Sequence, residues 1–274
     1  MVATKEEAVR RLAIVSAALL VLATDGSAMN RAGAAVRRTG ISVYLVRGET
    51  VSPVRRTATG SAVALAAVRL LLQGPTAAER RAGYTSAIPA GTRLAGVGLS
   101  RGVLTVDLAR RFERGGGSLS MQLRVAQVVF TATQFSSVRS VAFRLDGKRV
   151  AAIGGEGVDV APAATRAKFE GQAPRILVER PLRGDRVASP LRIAGSANVF
   201  EAQFAVDVTT ADGTLLAHRI VHAGSGDGRR GGFEIAVSLT TRSTHLVVLA
   251  YDRSAKDGKR VHEVRVPVAF APRS

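Results

Sequence analysis

The chain has 274 residues, 46% of them hydrophobic, which is enough for two cores of ordinary domain size. Aromatics are only 4%, and Trp and Cys are absent, so the cores must be Val, Leu, Ile and Ala with some Phe, and disulfides, thiolate metal sites, a cysteine nucleophile and a lipid-modified N-terminal Cys are excluded. The formal charge of +18 is mostly arginine and is spread over both halves; a field of that sign attracts anionic wall polymers, phospholipid headgroups and nucleic acid.

Residues 12–23 (LAIVSAALLVLA) are an apolar run behind Arg10 and Arg11, followed by Gly26-Ser27-Ala28 as a cleavage site. The run is shorter than the roughly 18–20 residues that span a bilayer. Residues 1–28 therefore read as a signal peptide or N-terminal anchor, and 29–40 as a linker.

Residues 41–46 alternate with period two and predict a strand. Residues 51–56, interrupted by Pro53, predict an extended segment or edge strand. Residues 61–72 predict a helix with Val63, Ala66, Ala67, Leu70 and Leu71 on one face, Ser61 at its N-cap and Gly74-Pro75 stopping it. Thr76 and Glu79 have the spacing of a capping box and open a short helix ending at Gly83. Residues 93–99 and 103–108 flank Ser100-Arg101-Gly102 as a hairpin, and Gly115-Gly116-Gly117 is a loop before a second main helix at 118–134. Residues 138–145 predict a strand, turned by Asp146-Gly147 so that 149–153 pairs back. The order predicts an α+β domain over 41–161, with helices on one face of a mixed sheet. Residues 162–173 read as a linker.

From residue 174 to 270 no helical period appears. Short β-rich runs at 176–179, 191–194, 202–209, 214–221, 232–237, 244–250 and 261–268 alternate with turns such as Asp212-Gly213 and Asp257-Gly258. About seven strands over such a length predict an immunoglobulin-like β-sandwich.

Several separated blocks carry a resemblance. In the first half they are Leu71-Leu72-Gln73-Gly74-Pro75-Thr76, Ala87-Ile88-Pro89-Ala90-Gly91-Thr92, Val106-Asp107-Leu108 with Phe112, and Gln127-Val128-Val129-Phe130-Thr131. These resemble the GerMN domain of bacterial sporulation and germination proteins. In the second half, Val178-Glu179-Arg180-Pro181, Ala197-Asn198-Val199-Phe200-Glu201-Ala202 and Tyr251 to Gly258 resemble the immunoglobulin-like domain of bacterial spore germination proteins. The resemblance implies an extracytoplasmic protein of cell-envelope or spore-envelope assembly, without a known enzymatic activity.

Candidate chemistry is sparse. His218 and His222 are four apart but lie in a predicted strand, so a zinc site is not expected. A wall-cleaving enzyme would need two carboxylates about 5–10 Å apart, and nothing in the spacing of Glu79, Asp107, Glu113 and Glu201 pairs them. Asp252, Ser254 and Asp257 read as turn formers more readily than as cation ligands. No catalytic residue, cofactor or metal is expected. Asn198, Phe200, Glu201, Arg229 and Arg230 form the candidate partner surface, although Phe200 equally suits a plug in the sandwich core. The expected protein is an exported scaffold of the cell envelope, bound to envelope proteins, anionic wall polymers or a membrane surface. A peptidoglycan hydrolase and a basic nucleic-acid binder are the alternatives; the export signal and the shortage of aromatics for base stacking argue against nucleic acid.

Overall fold

A computed structural model describes residues 38–155, 157–226 and 228–272. The signal peptide or anchor expected at 1–28, and most of the 29–40 linker, lie outside the described residues.

Strands β1 (Arg38–Arg47) and β2 (Thr50–Thr59) form a long antiparallel hairpin, paired from Arg38 opposite Thr59 to Arg47 opposite Thr50. Pro53 sits within β2, opposite Tyr44, and is tolerated because among the described residues β2 has no second strand neighbour to which its missing N–H should donate. Helix α1 (Val63–Leu72) packs on this hairpin through Ala67, Val68 and Leu71. It starts one residue later than the sequence suggests, after Ala62, and the Ser61 side chain does not cap it; only the Ser61 carbonyl accepts from Val63 N, at 2.9 Å. Helix α2 (Ala77–Arg81) has the expected capping box: Glu79 N donates to Thr76 Oγ1 at 3.2 Å, and Thr76 N to Glu79 Oε2 at 2.6 Å.

Strands β3 (Leu94–Ser100) and β4 (Val103–Leu108) form the expected hairpin. Helix α3 (Ser118–Ala132) then crosses to β5 (Ser140–Leu145), which lies parallel to β4, and β6 (Lys148–Arg149) pairs back on β5. The result is a mixed sheet in the order β3-β4-β5-β6, with β1-β2 standing as a separate two-stranded sheet. Of the expected 149–153 return, Arg149 pairs in register with β5, with Lys148 before it, and Val150 N adds one bond to Phe143 O at 3.2 Å; β7 (Ala152–Ile153) leaves to pair with β8 (Val158–Asp159). Helix α3 touches both sheets and is buried on nearly every side, with Met121, Val125, Val128, Val129 and Phe130 inside the core. A helix so placed is apolar all round except where a polar side chain has a specific partner.

Residues 162–173 are ordered. Ala164 pairs with Val141 on β5, and a 3₁₀ turn at Ala167–Gln172 buries Phe169. The second half follows: β9 (Ile176–Arg180), β10 (Arg186–Ala188), β11 (Leu191–Ala197), β12 (Gln203–Thr210), β13 (Leu215–His222), β14 (Gly231–Val237), β15 (His245–Arg253) and β16 (Arg260–Ala271). They form two sheets, β14-β11-β9 and β10-β16-β15-β12-β13, antiparallel except where β10 runs parallel to β16. This is the expected sandwich. Ile193, Val206, Val208, Val237 and Val248 fill the space between the sheets, and Phe204 meets Phe233 edge-on at 4.9 Å between ring centres. Gly195 marks a bulge of β11 against β9; a Cβ there would lie 2.0 Å from the Leu177 carbonyl oxygen, so no other residue fits without moving the backbone.

Candidate functional site

The block Gln127 to Thr131 has a structural role. Strand β1 is paired by β2 along one edge only, and α3 lies along the other. Polar side chains of α3, and Gln134 just past its C-terminus, take the place of a missing strand there. Gln134 accepts from Ser42 N at 2.7 Å and donates to Ser42 O at 2.6 Å. Thr131 Oγ1 accepts from Tyr44 N at 3.0 Å, and Gln127 Nε2 donates to Tyr44 O at 3.0 Å. Val46 completes the edge by exchanging both backbone bonds with Thr85, at 2.9 and 2.8 Å. Gln127 Oε1 also accepts from Ala87 N at 2.8 Å, which ties the Ala87-Ile88-Pro89 block to the same helix. Gln127 and Thr131 are four apart on α3 and so share one face, and Gln134 lies two residues past the helix end.

The acidic residues of the first half are held in place as well. Glu79 is paired with Arg56, which also donates to Gly74 O at 3.1 Å. Burial opposes ionisation of Glu79, but the hydrogen bonds from Arg56 and from the Thr76 backbone outweigh it and hold the carboxyl below its ordinary pKa. Asp107 accepts from Gly147 N at 3.0 Å, and Glu113 pairs with Arg110 at 2.8 Å. The loop before α3 is organised by the buried Arg124, whose guanidinium donates to the carbonyls of Ala87 (2.9 Å), Phe112 (2.5 Å), Arg114 (3.2 Å) and Gly115 (2.9 Å).

The two halves are joined by charge pairs. Arg166, from the segment between them, donates to Glu179 of β9 at 2.7 Å, to Thr133 Oγ1 at 2.8 Å and to Phe130 O at 3.2 Å. Its guanidinium lies over the rings of Phe130 (4.8 Å) and Tyr44 (5.4 Å). The Tyr44 hydroxyl donates to the same Glu179 carboxylate. Burial first, then Glu179, pushes the Tyr44 hydroxyl far above the ordinary tyrosine range. Arg55 of β2 makes a forked pair with Asp185, at 3.0 and 2.7 Å.

The expected partner surface divides in two. Arg230 points inward: its Nε sits 2.9 Å from both Glu170 oxygens, and its Nη2 donates to Pro174 O at 2.7 Å. Asn198 is beside it, donating to Glu170 at 3.2 Å and to Gly228 O at 3.0 Å. Both hold the sandwich to the 3₁₀ turn. Arg229 is exposed next to them. Phe200 does not plug the core; it is 81% exposed, and the neighbouring Val199 and Ala202 are buried instead. Glu201 and Ala202 have φ of 53° and 57°, left-handed values that swing Phe200 outward. Gly226 packs against the same turn, where a Cβ would meet Ala202 at 3.3 Å. Phe200 rims a groove of about 530 Å³ that also takes in Ile220, Ala205, Arg253, Ala255 and His262, so the two quoted blocks of the second half meet there.

Arg166 and Gln134 were not singled out by the sequence, and Glu179 only as part of a family block, because each is a common polar residue whose partner lies far along the chain. His218 has a clear role: its Nδ1 lies 2.6 Å from buried Asp207, which also accepts from Arg260 at 2.9 Å, and Arg260 stacks 4.3 Å over Tyr251. In the Asp252–Asp257 turn the side-chain oxygens accept from the turn's own amides, Arg253 N at 2.7 Å and Lys259 N at 3.3 Å. Among the described residues no three His, Asp or Glu side chains gather as a metal site, and no helix is long and apolar enough to cross a membrane.

Residues 38–151 match the Germane family, described as sporulation and spore germination, and residues 175–259 match Gmad2, the immunoglobulin-like domain of bacterial spore germination. Among solved structures, the first GerMN domain of the sporulation protein GerM from Bacillus subtilis is 21% identical over 47% of this chain and 98% of its own, with a TM-score of 0.39. The tandem GerMN domains of the same protein are 14% identical over 73% of this chain and 61% of theirs, with a TM-score of 0.41. No curated protein matches the chain. The chain therefore carries a GerMN domain of the sporulation and spore germination family, followed by an immunoglobulin-like domain of bacterial spore germination.

Proposed function

We propose that this protein is an extracytoplasmic, non-enzymatic scaffold of the bacterial cell envelope that works by contact with envelope proteins and anionic wall material. The observation that carries this reading is the fate of the polar residues in and beside the family blocks. Glu79, Asp107, Arg124 and Gln127 are each engaged by backbone or by a counter-charge, and Arg166 and Arg230 join the two halves into one body. Residues arranged in this way favour a fixed shape over acid–base chemistry. Phe200, Glu201 and Arg229 are the exposed members of the surface offered to a protein partner.

The reading is tested by cross-linking in intact cells followed by fractionation. The protein is expected in the envelope fraction, coupled to envelope proteins or wall polymer. The rival, a wall hydrolase, is tested by incubating pure protein with peptidoglycan. Soluble fragments that disappear in folded Glu79→Ala or Asp107→Ala variants would overturn the scaffold reading.

A further inference from the structure

We infer that the outward face of the β3-β4-β5-β6 sheet binds a linear, phosphate-bearing wall polymer, with Arg144 and Arg149 as the pair that grips it. The inference rests on the scaffold reading and deepens it by naming the surface and the ligand chemistry.

The register defines the face. Leu104, Val106, Leu108, Val141, Phe143 and Leu145 point to the core, so their alternates lie on the opposite face, where Ala142 alone is buried among those of β4 and β5. At one end of the face Gly96, Asp107, Arg144 and Arg149 stand side by side across all four strands. Gly98, Thr105 and Ala142 form the next row, then Ser100, Val103 and Ser140. Two arginines directly opposite one another are a destabilising cross-strand pair, because like charges repel at that spacing. Here one carboxylate, Asp107, stands beside the pair and relieves the repulsion only in part. Arg144 is exposed and has no ion pair among the described residues, although Asp107 is its register partner on β4. Asp107 instead accepts from Gly147 N, and Arg149 donates to the Pro162 carbonyl at 2.9 Å, which neutralises nothing. Lys148 is exposed at the same end. The acids at that end are Asp107 and Asp146, the latter near Arg110. An anion bridging Arg144 and Arg149 would turn the repulsive pair into a forked site, the arrangement guanidinium groups favour for phosphate.

The opposite end is also cationic. Arg101 at the hairpin tip and Arg139 are both exposed and linked by a 2.7 Å bond from Arg139 Nη2 to Arg101 O. From Arg144 to Ser140 is four residues of strand, so the two cationic ends lie on the order of 13 Å apart. A single phosphate cannot meet both ends, whereas a polymer can. The small residues between them leave the sheet low enough for a chain to lie flat, and the shallow hollows there share Thr105 and Arg144.

The test uses the full chain and four probes: poly(glycerol phosphate), inorganic phosphate, a single-stranded oligonucleotide of equal charge and anionic lipid vesicles. Poly(glycerol phosphate) is expected to bind at least ~100-fold more tightly than phosphate at matched phosphorus, and to weaken with salt as ion pairs do. Changing both Arg144→Gln and Arg149→Gln should weaken it at least tenfold. The charge-matched control, Arg69→Gln with Arg242→Gln, removes two exposed cations elsewhere and should change it less than twofold. An equal loss in the control would reduce the effect to the net charge of the protein and overturn the site. So would equal binding of phosphate, or tighter binding of the oligonucleotide or of anionic lipid vesicles. If capture in cells succeeds and this assay fails, the scaffold reading survives and this face does not carry it.

Discussion

Replacing Gln127 by Met tests whether α3 closes the free edge of β1. The two side chains are similar in length, so the cavity term is small and the loss is one of hydrogen bonds. Gln127 is fully buried and serves two backbone groups, Tyr44 O at 3.0 Å and Ala87 N at 2.8 Å. A buried backbone group left without a partner costs about 1–3 kcal/mol, so the variant should lose about 2–6 kcal/mol. In a protein of this size each kcal/mol shifts Tm by roughly 2–4 °C, so a central loss of ~4 kcal/mol corresponds to roughly 8–16 °C. Thr131→Val removes the acceptor for Tyr44 N at nearly constant volume and should cost about 1–3 kcal/mol by the same reasoning. Both changes act on one residue's backbone, so the double variant should lose less than the sum. Urea denaturation gives the energies, and amide exchange at Tyr44 gives the local effect. A Gln127→Met loss below ~1 kcal/mol, with the Tyr44 amide still protected in Thr131→Val, would refute the edge-closing role.

Gly195→Ala should cost more than ~4 kcal/mol, since its Cβ would lie 2.0 Å from the Leu177 carbonyl, whereas Gly96→Ala, with nothing within 4 Å, should cost far less; thermal melts of the two settle the comparison. Tyr44 is held neutral in the fold, so its contribution is complete below the unfolded tyrosine pKa of about 10 and is lost as pH rises beyond it, by about 1.4 kcal/mol per pH unit. The stability difference between the native protein and Tyr44→Phe, measured in urea at successive pH values from 9 to 11, should therefore shrink in that window and stay level below it. Arg166→Met leaves Glu179 with only the Tyr44 hydroxyl and should split calorimetric unfolding into two transitions. Arg55→Ala, at an exposed ion pair, should cost under ~1 kcal/mol and keep a single transition.

Local chemistry was legible in the sequence wherever a short range decides it. The Thr76 and Glu79 capping box, the Asp146-Gly147 turn and the edge placement of Pro53 all depend on residues a few positions apart. The alternating runs of the second half gave its strands, because one face of each is buried. What stayed hidden depends on distant partners. Gln127, Thr131 and Gln134 are 83 to 92 residues from the β1 backbone groups they serve, and on a helical wheel they are only interruptions of an apolar helix. Arg230 and Asn198 looked like surface residues because Glu170, their partner, lies outside the sandwich sequence. The position of Phe200 turned on two left-handed residues, Glu201 and Ala202, whose side chains give no sign of that conformation.

The parallel pairing of β10 with β16 carries an implication for the order of assembly. Arg186–Ala188 waits for partners at Ala269 to Ala271, more than eighty positions downstream, so the larger sheet of the sandwich cannot finish until the chain has been made or threaded to that point. Every strand pairing of the GerMN half is complete by Ala164. During synthesis the two halves thus mature at different moments, and a nascent sandwich has an interval in which its apolar sheet interior is open to chaperones or to a neighbouring chain.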